Sequence, residues 1–498
     1  MERLVRSSEA SSDLVERVIQ FGDGNFMRGF AEWHIDVMNE RLGWNTGVVV
    51  LQARAEGTSA EGLNEQGGVY TLQLEGIQHG EEVREQRVIE CITRGMNPHR
   101  QYEAFMQLAD SPDIRFVLSN TTESGIVYDP DDRLEDQPQR SFPGKLAALL
   151  YRRYQTFQAD PSKGWIIVPC ELIERNGEIL RDIIVQHAHR WELEEGFLHW
   201  LKEANTFCNS LVDRIVPGYP KDRAAELQQQ LGYQDPFMIV GEPYHLWVIE
   251  GPEYVRAEFP ADLAKLNLLV VDDLKPYREQ KVRILNGAHT ALTPVAYLSD
   301  LETVREAVED PEVGAYIRNL IHREIIPTLD LSEQALKSFA EDVIDRFRNP
   351  FIKHYVMSIA LNSFSKFRTR NLPVLLEYHA KHNELPSATV FALAALLVMY
   401  KGRRGAEKIE LSDNPVILQE LQDMWRDCTC TREELGILAR AVLQHEDWWG
   451  QDLTGIAGLV DQLADQMFIM ETHGMKEALR QQIYAVSGSQ PYGGEQHA

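Results

Sequence analysis

Three residues in one stretch, VDDLKPYREQKVRILNGAHTAL (Val271–Leu292), have the types and spacing for proton-transfer chemistry: Lys281, Asn286 and His289. The stretch reads as the end of a buried strand that turns into a helix. At about 100° of rotation per residue, Asn286 lies roughly 140° and His289 roughly 80° around that helix from Lys281. A titratable amine, an amide and an imidazole on one side of a helix can converge on one small polar ligand. The plain alternative is a solvated lysine, a helix-interior asparagine and a satisfied core histidine.

Such a site needs elements to hold it and a partner for its chemistry. Near the amino terminus, Arg17–Phe21 is a short apolar strand that runs into Gly22-Asp23-Gly24-Asn25-Phe26-Met27-Arg28-Gly29 and then a helical pattern through Asn39. Strand, glycine turn and helix suit a pyrophosphate, because glycine lets backbone approach and a helix start offers free N–H groups. The third glycine comes later than in G-x-G-x-x-G, so a tight turn with no ligand fits this segment as well. Phe21, Gly22, Gly24, Asn25, Phe26 and Arg28 are the candidate cofactor contacts. The next strand, Gly47–Gln52, ends in Gln52-Ala53-Arg54-Ala55-Glu56. An acid there suits the ribose of NAD and an arginine suits the 2′-phosphate of NADP. Both are present, so NAD is expected and NADP stays open.

Residues 69–92 alternate and contain β-formers, which predicts an inserted hairpin. The strand Arg115–Ser119 ends in Asn120-Thr121-Thr122-Glu123. Ligands of doubly wound sheets sit beyond the carboxyl ends of strands, so Asn120 and Thr121 join the cofactor candidates; a structural turn is the alternative. Helix 145–157, strand 164–169, helices 178–191 and 194–204 and a last strand, 266–271, continue a βα series with apolar strands, as a mainly parallel sheet requires. After residue 290 the strand-like runs stop and amphipathic stretches follow at 302–326, 332–347, 350–368, 386–401, 413–427, 431–445 and 457–484, which predicts a helical domain. The expected architecture is an α/β Rossmann-like dinucleotide-binding domain over 15–280, an all-α domain over 281–486 and a frayed tail over 487–498. The Lys281 helix then falls at the domain junction, where clefts form.

The net charge of −26 over 498 residues argues against nucleic acid and anionic membrane as partners. Five scattered cysteines and a polar start, MERLVRSSEASSD, suggest a reducing cytoplasm. Cys428-Thr429-Cys430 has no second pair or nearby histidine, so no metal is expected. The longest apolar run, Val390–Tyr400, is too short to span a bilayer. Against this acidity, Arg346–Arg370 (RFRNPFIKHYVMSIALNSFSKFRTR) holds six Lys or Arg residues and no acid. Together with Lys275, Arg278 and Arg283 it can draw in an anionic substrate; a solvated basic face is the alternative.

The segments GDGNFMRGF, NSLVDRIVPGYP and KPYREQKVRILNGAHT resemble the polyol-specific long-chain dehydrogenases, the mannitol dehydrogenase family, from about residue 15 to 485. RVIQFGDGNFMRGF, FVLSNTTESGI, GWIIVPCELIERNG and RFRNPFIKH are similar to its hexuronate-acting members. The resemblance implies metal-independent hydride transfer from NADH to the keto carbon of a hexuronate, giving an aldonate. Lys281 becomes the general acid/base, Asn286 polarises the carbonyl and His289 orients the substrate oxygens. A free lysine, with pKa about 10.4, is a poor base at neutral pH. Burial and the cations Lys275, Arg278 and Arg283 are expected to lower it. Two departures stand out. The family's Cys-Asp-Asn is here Cys170-Glu171-Leu172, with Asn176 offered as a replacement, and the family's Arg, eight residues before Lys366, is Ser358. Lys353, His354, Lys366, Arg368 and Arg370 are the remaining candidates for a substrate carboxylate. A keto-uronate or aldonate is the expected partner, with the chain as a monomer or small homo-oligomer. The epimeric keto-uronate is the alternative substrate, and an epimerase or isomerase retaining its nicotinamide is the alternative class. An inactive sugar-acid sensor is disfavoured by the intact Lys281, Asn286 and His289.

Overall fold

Valine- and isoleucine-rich segments build the core of the amino-terminal unit, because β-branched side chains pack well on a pleated surface. The computed structural model describes residues 1–7, 14–122 and 124–487, with main chain only at 484–487. Glu123 and the predicted tail from 488 lie outside the described residues.

Six strands, β1 (Val15–Phe21), β2 (Thr46–Leu51), β5 (Ile92–Met96), β6 (Phe116–Ser119), β7 (Ile166–Pro169) and β8 (Thr206–Phe207), form one sheet in the order β5-β2-β1-β6-β7-β8. Every pairing in it is parallel. This is the doubly wound dinucleotide-binding arrangement, with the order reversing beside β1. Alternate residues serve opposite faces. Ile19, Val49, Val117 and Ile167 pack under the helices Phe142–Thr156 and Asn176–Arg190. Val18, Val48, Phe116 and Ile166 pack against Phe30, Met38 and Trp247.

The predicted hairpin is present as β3 (Tyr70–Gln78) and β4 (Glu81–Ile89), joined in a three-stranded sheet by β10 (Ile239–Gly241). Two expectations change. Residue 92 does not end the hairpin region: Ile92 starts β5, the edge strand of the main sheet. The last predicted strand is β12 (Leu268–Val271), and it lies outside the main sheet. It pairs parallel with β11 (Leu246–Glu250), which pairs antiparallel with β9 (Asn209–Asp213). Only Leu268 of β12 is buried, so this strand lacks the two-sided cover of a Rossmann strand.

The chain divides into two compact units, Met1–Gly76 with Glu82–Leu274, and Ile77–Glu81 with the chain from Lys275 onward. The break thus precedes the expected residue 281 and assigns the helix Lys275–Gln280 to the second unit. Among its described residues that unit is helical apart from the tip of the β3–β4 hairpin and a short antiparallel pair, Arg403–Arg404 with Glu407–Lys408. The predicted stretch 350–368 resolves into two short helices, Val356–Ile359 and Ser363–Arg370, followed by Leu372–His382. At its centre is Ser387–Met399, with every residue from Ala388 to Met399 buried. Its own N-cap position is Pro386, which supplies no side-chain cap. Glu324 does so from afar, accepting from the Ala388 and Thr389 amides at 2.7 and 2.8 Å and from the Thr389 hydroxyl at 2.8 Å. Burial pushes this carboxyl up to about 7 against those hydrogen bonds. Among the described residues no helix is long and apolar enough to cross a membrane.

Candidate active site

In the first unit the glycine turn follows β1 directly. Gly22 has φ +105°, a conformation L side chains avoid, and a Cβ there would stand 2.6 Å from the Asn120 carbonyl oxygen. A Cβ on Gly24 would meet nothing within 4 Å, so this glycine faces open space at the start of the helical segment from Asn25. A cavity of about 430 Å³ at the carboxyl ends of the strands is lined by Phe21, Gly22, Gln52, Thr121 and Lys145, among others. The open cradle at Gly24 and this cavity fit a dinucleotide.

The side chains proposed for cofactor contact are mostly engaged within the unit. Arg28 donates to the Phe237 carbonyl and to Asn25 Oδ1, both at 2.7 Å. Phe26 stacks on Phe30 at 4.9 Å. Gln52 donates to the Arg54 carbonyl at 2.7 Å and accepts from Ser59 Oγ and the Ala60 amide, so it shapes the loop after β2. Asn120 donates to the Cys170 carbonyl at 2.8 Å, and both the amide and hydroxyl of Thr121 donate to Glu171 at 2.9 Å. The side chains of Asn25, Phe26, Arg28, Gln52 and Asn120 thus already have partners within the unit.

Glu171, at the first departure from the family pattern, is buried and also accepts from Ser119 Oγ at 3.0 Å, so it ties the ends of β6 and β7 together. Burial raises its pKa against these hydrogen bonds. Asn176 does not replace the missing asparagine. It is fully buried; its Nδ2 donates to the carbonyls of Pro169, Glu171 and Ser210, and its Oδ1 accepts from the amides of Gly177 and Ser210. Both ends of the amide are saturated, which makes it a brace rather than a substrate ligand.

Two further groups border this region, and their residue types and spacing do not announce them. Asp23 accepts from the Ala53 amide and from Ser59 Oγ, so the glycine turn holds the loop after β2. Lys145 lines the cavity, donates to the Arg140 carbonyl at 2.8 Å, and has its pKa lowered to about 8 by burial. Its place on an amphipathic helix gave no sign of this.

In the second unit Lys281, Asn286 and His289 do share one run of helix, with a difference that matters. Lys281–Gly287 is a π-helical turn between the α-helices Lys275–Gln280 and Ala288–Leu298. Its hydrogen bonds run from i to i+5, which widens the turn and brings Asn286 closer to Lys281 around the axis than the 140° that α geometry implies. A π turn loosens carbonyls, and the end of helix Ser363–Arg370 meets them. Arg370 Nη1 lies 3.5 Å from the Asn286 carbonyl and 3.1 Å from Thr290 Oγ1, and Asn371 Nδ2 donates to the Gly287 carbonyl at 3.0 Å.

His289 stacks on Phe347 at 4.1 Å and meets the His354 ring edge-on at 5.0 Å. Burial, followed by His354, Arg346, Arg370 and Lys366, drives its pKa well below the ordinary value, so the ring is neutral at neutral pH. Its Nε2 is shielded and has no hydrogen-bond partner among the described residues. A neutral imidazole with an unpaired nitrogen, set among cations, fits a polar anionic ligand.

The basic stretch divides in two. Lys366 and Arg370 stand one helical turn apart; the Lys366 pKa is lowered by burial, with Arg370 adding to the shift, and both act on His289. Arg368 points elsewhere, donating to the Asp447 carbonyl at 3.2 Å beside Gly450, and Lys353 is exposed. Arg368 therefore does not join the cluster. Of the cations proposed to tune Lys281, Arg283 is locked to Glu377 at 2.5 and 2.7 Å, and Lys275 lies 3.9 Å from Glu279. Arg283 therefore already has a carboxylate partner of its own, whereas Lys275 lies at the surface.

Comparison with known proteins places these two groups of residues in context. A Mannitol dehydrogenase Rossmann domain model matches residues 16–263, and a Mannitol dehydrogenase C-terminal domain model matches residues 273–470. The chain is 50% identical over 475 residues to a Bacillus subtilis protein named altronate oxidoreductase, covering 95% of this chain and 96% of that one. It is 45% identical over 484 residues to an Escherichia coli protein of the same name, covering 96% and 99%. Among solved structures it resembles a D-sorbitol dehydrogenase in substrate-free form, with TM-score 0.79 and 22% identity over 96% of this chain and 97% of that one. It also resembles Pseudomonas fluorescens mannitol 2-dehydrogenase in complex with NAD and D-mannitol, with TM-score 0.65 and 21% identity over 97% and 96%. With its two units matched in turn by the two halves of one family, this chain belongs to the mannitol dehydrogenase family.

Proposed function

We propose that this protein is a nicotinamide-dependent oxidoreductase that interconverts tagaturonate and altronate, with NAD as the cofactor. The observation that carries the reading is the 45–50% identity, over nearly the full chain, to proteins named altronate oxidoreductase. The cations around His289 support an acidic substrate, and the Gly24 cradle supports the dinucleotide.

When bound, the nicotinamide supplies or accepts the hydride. The protein's own part is proton transfer and charge placement. Lys281 gives a proton to the keto oxygen in reduction and takes it back in oxidation. Asn286 donates to the same oxygen as negative charge develops there, worth on the order of 3 kcal/mol in a water-poor site. Neutral His289 orients the substrate oxygens. Arg370, already fixed by Thr290 and the Asn286 carbonyl, turns its remaining donors to the carboxylate, with Lys366 beside it.

The test is mixing purified protein with NADH and tagaturonate while following the nicotinamide absorbance. Steady loss of NADH, with altronate as product, is expected. Conversion of the uronate with no net NADH consumption identifies an epimerase or isomerase instead.

A further inference from the structure

A second cavity in the helical unit, of about 580 Å³, lies beside the end of the buried helix Ser387–Met399. Lys401, Cys428, Cys430 and Glu471 line it, together with Arg403 and Arg426. None of these residues belongs to the His289 cluster. Three of them form a closed triangle drawn from separate elements. Lys401, just past the core helix, donates to Glu471 Oε2 at 2.5 Å. Cys430, on the loop between helices Pro415–Arg426 and Arg432–Leu443, has its Sγ 3.6 Å from Lys401 Nζ and 3.5 Å from the same carboxylate oxygen. Glu471 sits on helix Leu459–His473. The lysine is further held over the Trp425 ring at 5.4 Å. An amine, a thiol and a carboxylate in mutual contact at a solvent-accessible cavity are more than a lone cysteine.

We propose that Lys401 and Cys430 are a modification site at which hydrogen peroxide forms a covalent lysine–cysteine tether. The thiol sulfur attacks one peroxide oxygen: the S–O bond forms and the O–O bond breaks. Glu471 takes the thiol proton, and the departing oxygen leaves as water with a proton from the Lys401 ammonium. The amine, now neutral, attacks the sulfenic sulfur beside it. The S–N bond forms, the S–OH bond breaks, and the hydroxyl leaves as water with a proton from nitrogen. One thiol, one amine and one peroxide thus give a sulfenamide and two waters, the sulfur losing two electrons and the peroxide gaining them; Glu471 returns its proton to solvent. Burial, with Glu471, holds the resting thiol above its ordinary pKa, so the first step depends on the carboxylate as base. The tether joins the core helix to the 427–431 loop.

The test treats the reduced, full-length protein with hydrogen peroxide and maps its peptides without reductant. The expected product is a linked pair containing Lys401 and Cys430, lighter by two hydrogens and released by dithiothreitol. It persists in Cys428→Ser, slows in Glu471→Gln and is lost in both Cys430→Ser and Lys401→Arg. Thermal melting in reducing buffer confirms that the variants are folded, and Cys428→Ser alone keeps the proposal testable if another variant is not. A Cys428–Cys430 disulfide in place of the tether, a Cys430 that advances to sulfinic acid beside an unmodified Lys401, or no reaction would each overturn it.

Discussion

At the scale of single residues, function rests on groups whose charge is set by what surrounds them. His289 is neutral because burial and four neighbouring basic groups oppose its protonation, so in the proposed mechanism it can accept or donate while Lys281 carries the proton. Lys281→Ala is expected to lower kcat at least ~100-fold, the lower range for a lost general acid, while NADH affinity by fluorescence titration stays the same. Near-normal turnover would remove Lys281 from that role. The two arginines at the end of helix Ser363–Arg370 should separate cleanly. Arg370→Leu is expected to raise KM for tagaturonate roughly 10- to 100-fold, as for a lost charge-assisted hydrogen bond, with a smaller effect on a neutral keto-sugar. Arg368→Leu, directed at Asp447, should leave both KM values close to normal. Equal effects of Arg370→Leu on acidic and neutral substrates would show that it does not read the carboxylate. The residue types of this cluster were visible in RFRNPFIKH and in the run through Arg370, but their division was not. Side-chain direction on a short helix depends on where that helix begins, and a break at 360–362 sets it here.

At the scale of elements, the sequence shows the main parallel sheet because its strands are apolar runs closed by turn residues. It conceals what depends on long-range pairing. β5 is ITRGM, too polar and too short to announce itself as a sheet edge, and β12 looks like a Rossmann strand although its neighbours β9 and β11 lie elsewhere. The π turn is equally silent, since no residue type demands it; Arg370 and Asn371, more than 80 residues on, supply partners for its carbonyls. The bracing role of Asn176 is concealed for the same reason, because its partners at Pro169 and Ser210 come from other strands or strand ends. Glu324 is a further long-range partner, capping helix Ser387–Met399 from outside it. Folding raises its pKa from the ordinary 4.5 to about 7, so the native state binds this proton more tightly than the unfolded chain. The group's contribution is therefore full below about pH 4.5 and drains as pH rises to about 7, by up to roughly 3 kcal/mol. Glu324→Gln, which cannot ionise, should flatten the stability profile over that window in urea denaturation at stepped pH. An unchanged slope would mean that another group governs it.

At the scale of the whole molecule, an acidic chain with net charge −26 gathers Arg346, Lys366 and Arg370 around one neutral histidine. A local field of that sign within an acidic protein favours a small anion over a polyanion, which large-scale repulsion would exclude. The two matched family domains supply the cofactor-holding and helical halves of the enzyme, and identity to altronate oxidoreductases points to the substrate. The stereocentre that separates tagaturonate from fructuronate is decided by how a few donors meet one hydroxyl, which composition and spacing do not encode. The most direct measurement is kcat/KM for tagaturonate and fructuronate side by side, with NADH in excess and the same enzyme preparation. Tagaturonate is expected to be the better substrate by at least ~10-fold, the scale of one well-placed hydrogen bond. A preference for fructuronate, or no NADH oxidation with either, would contradict the assignment.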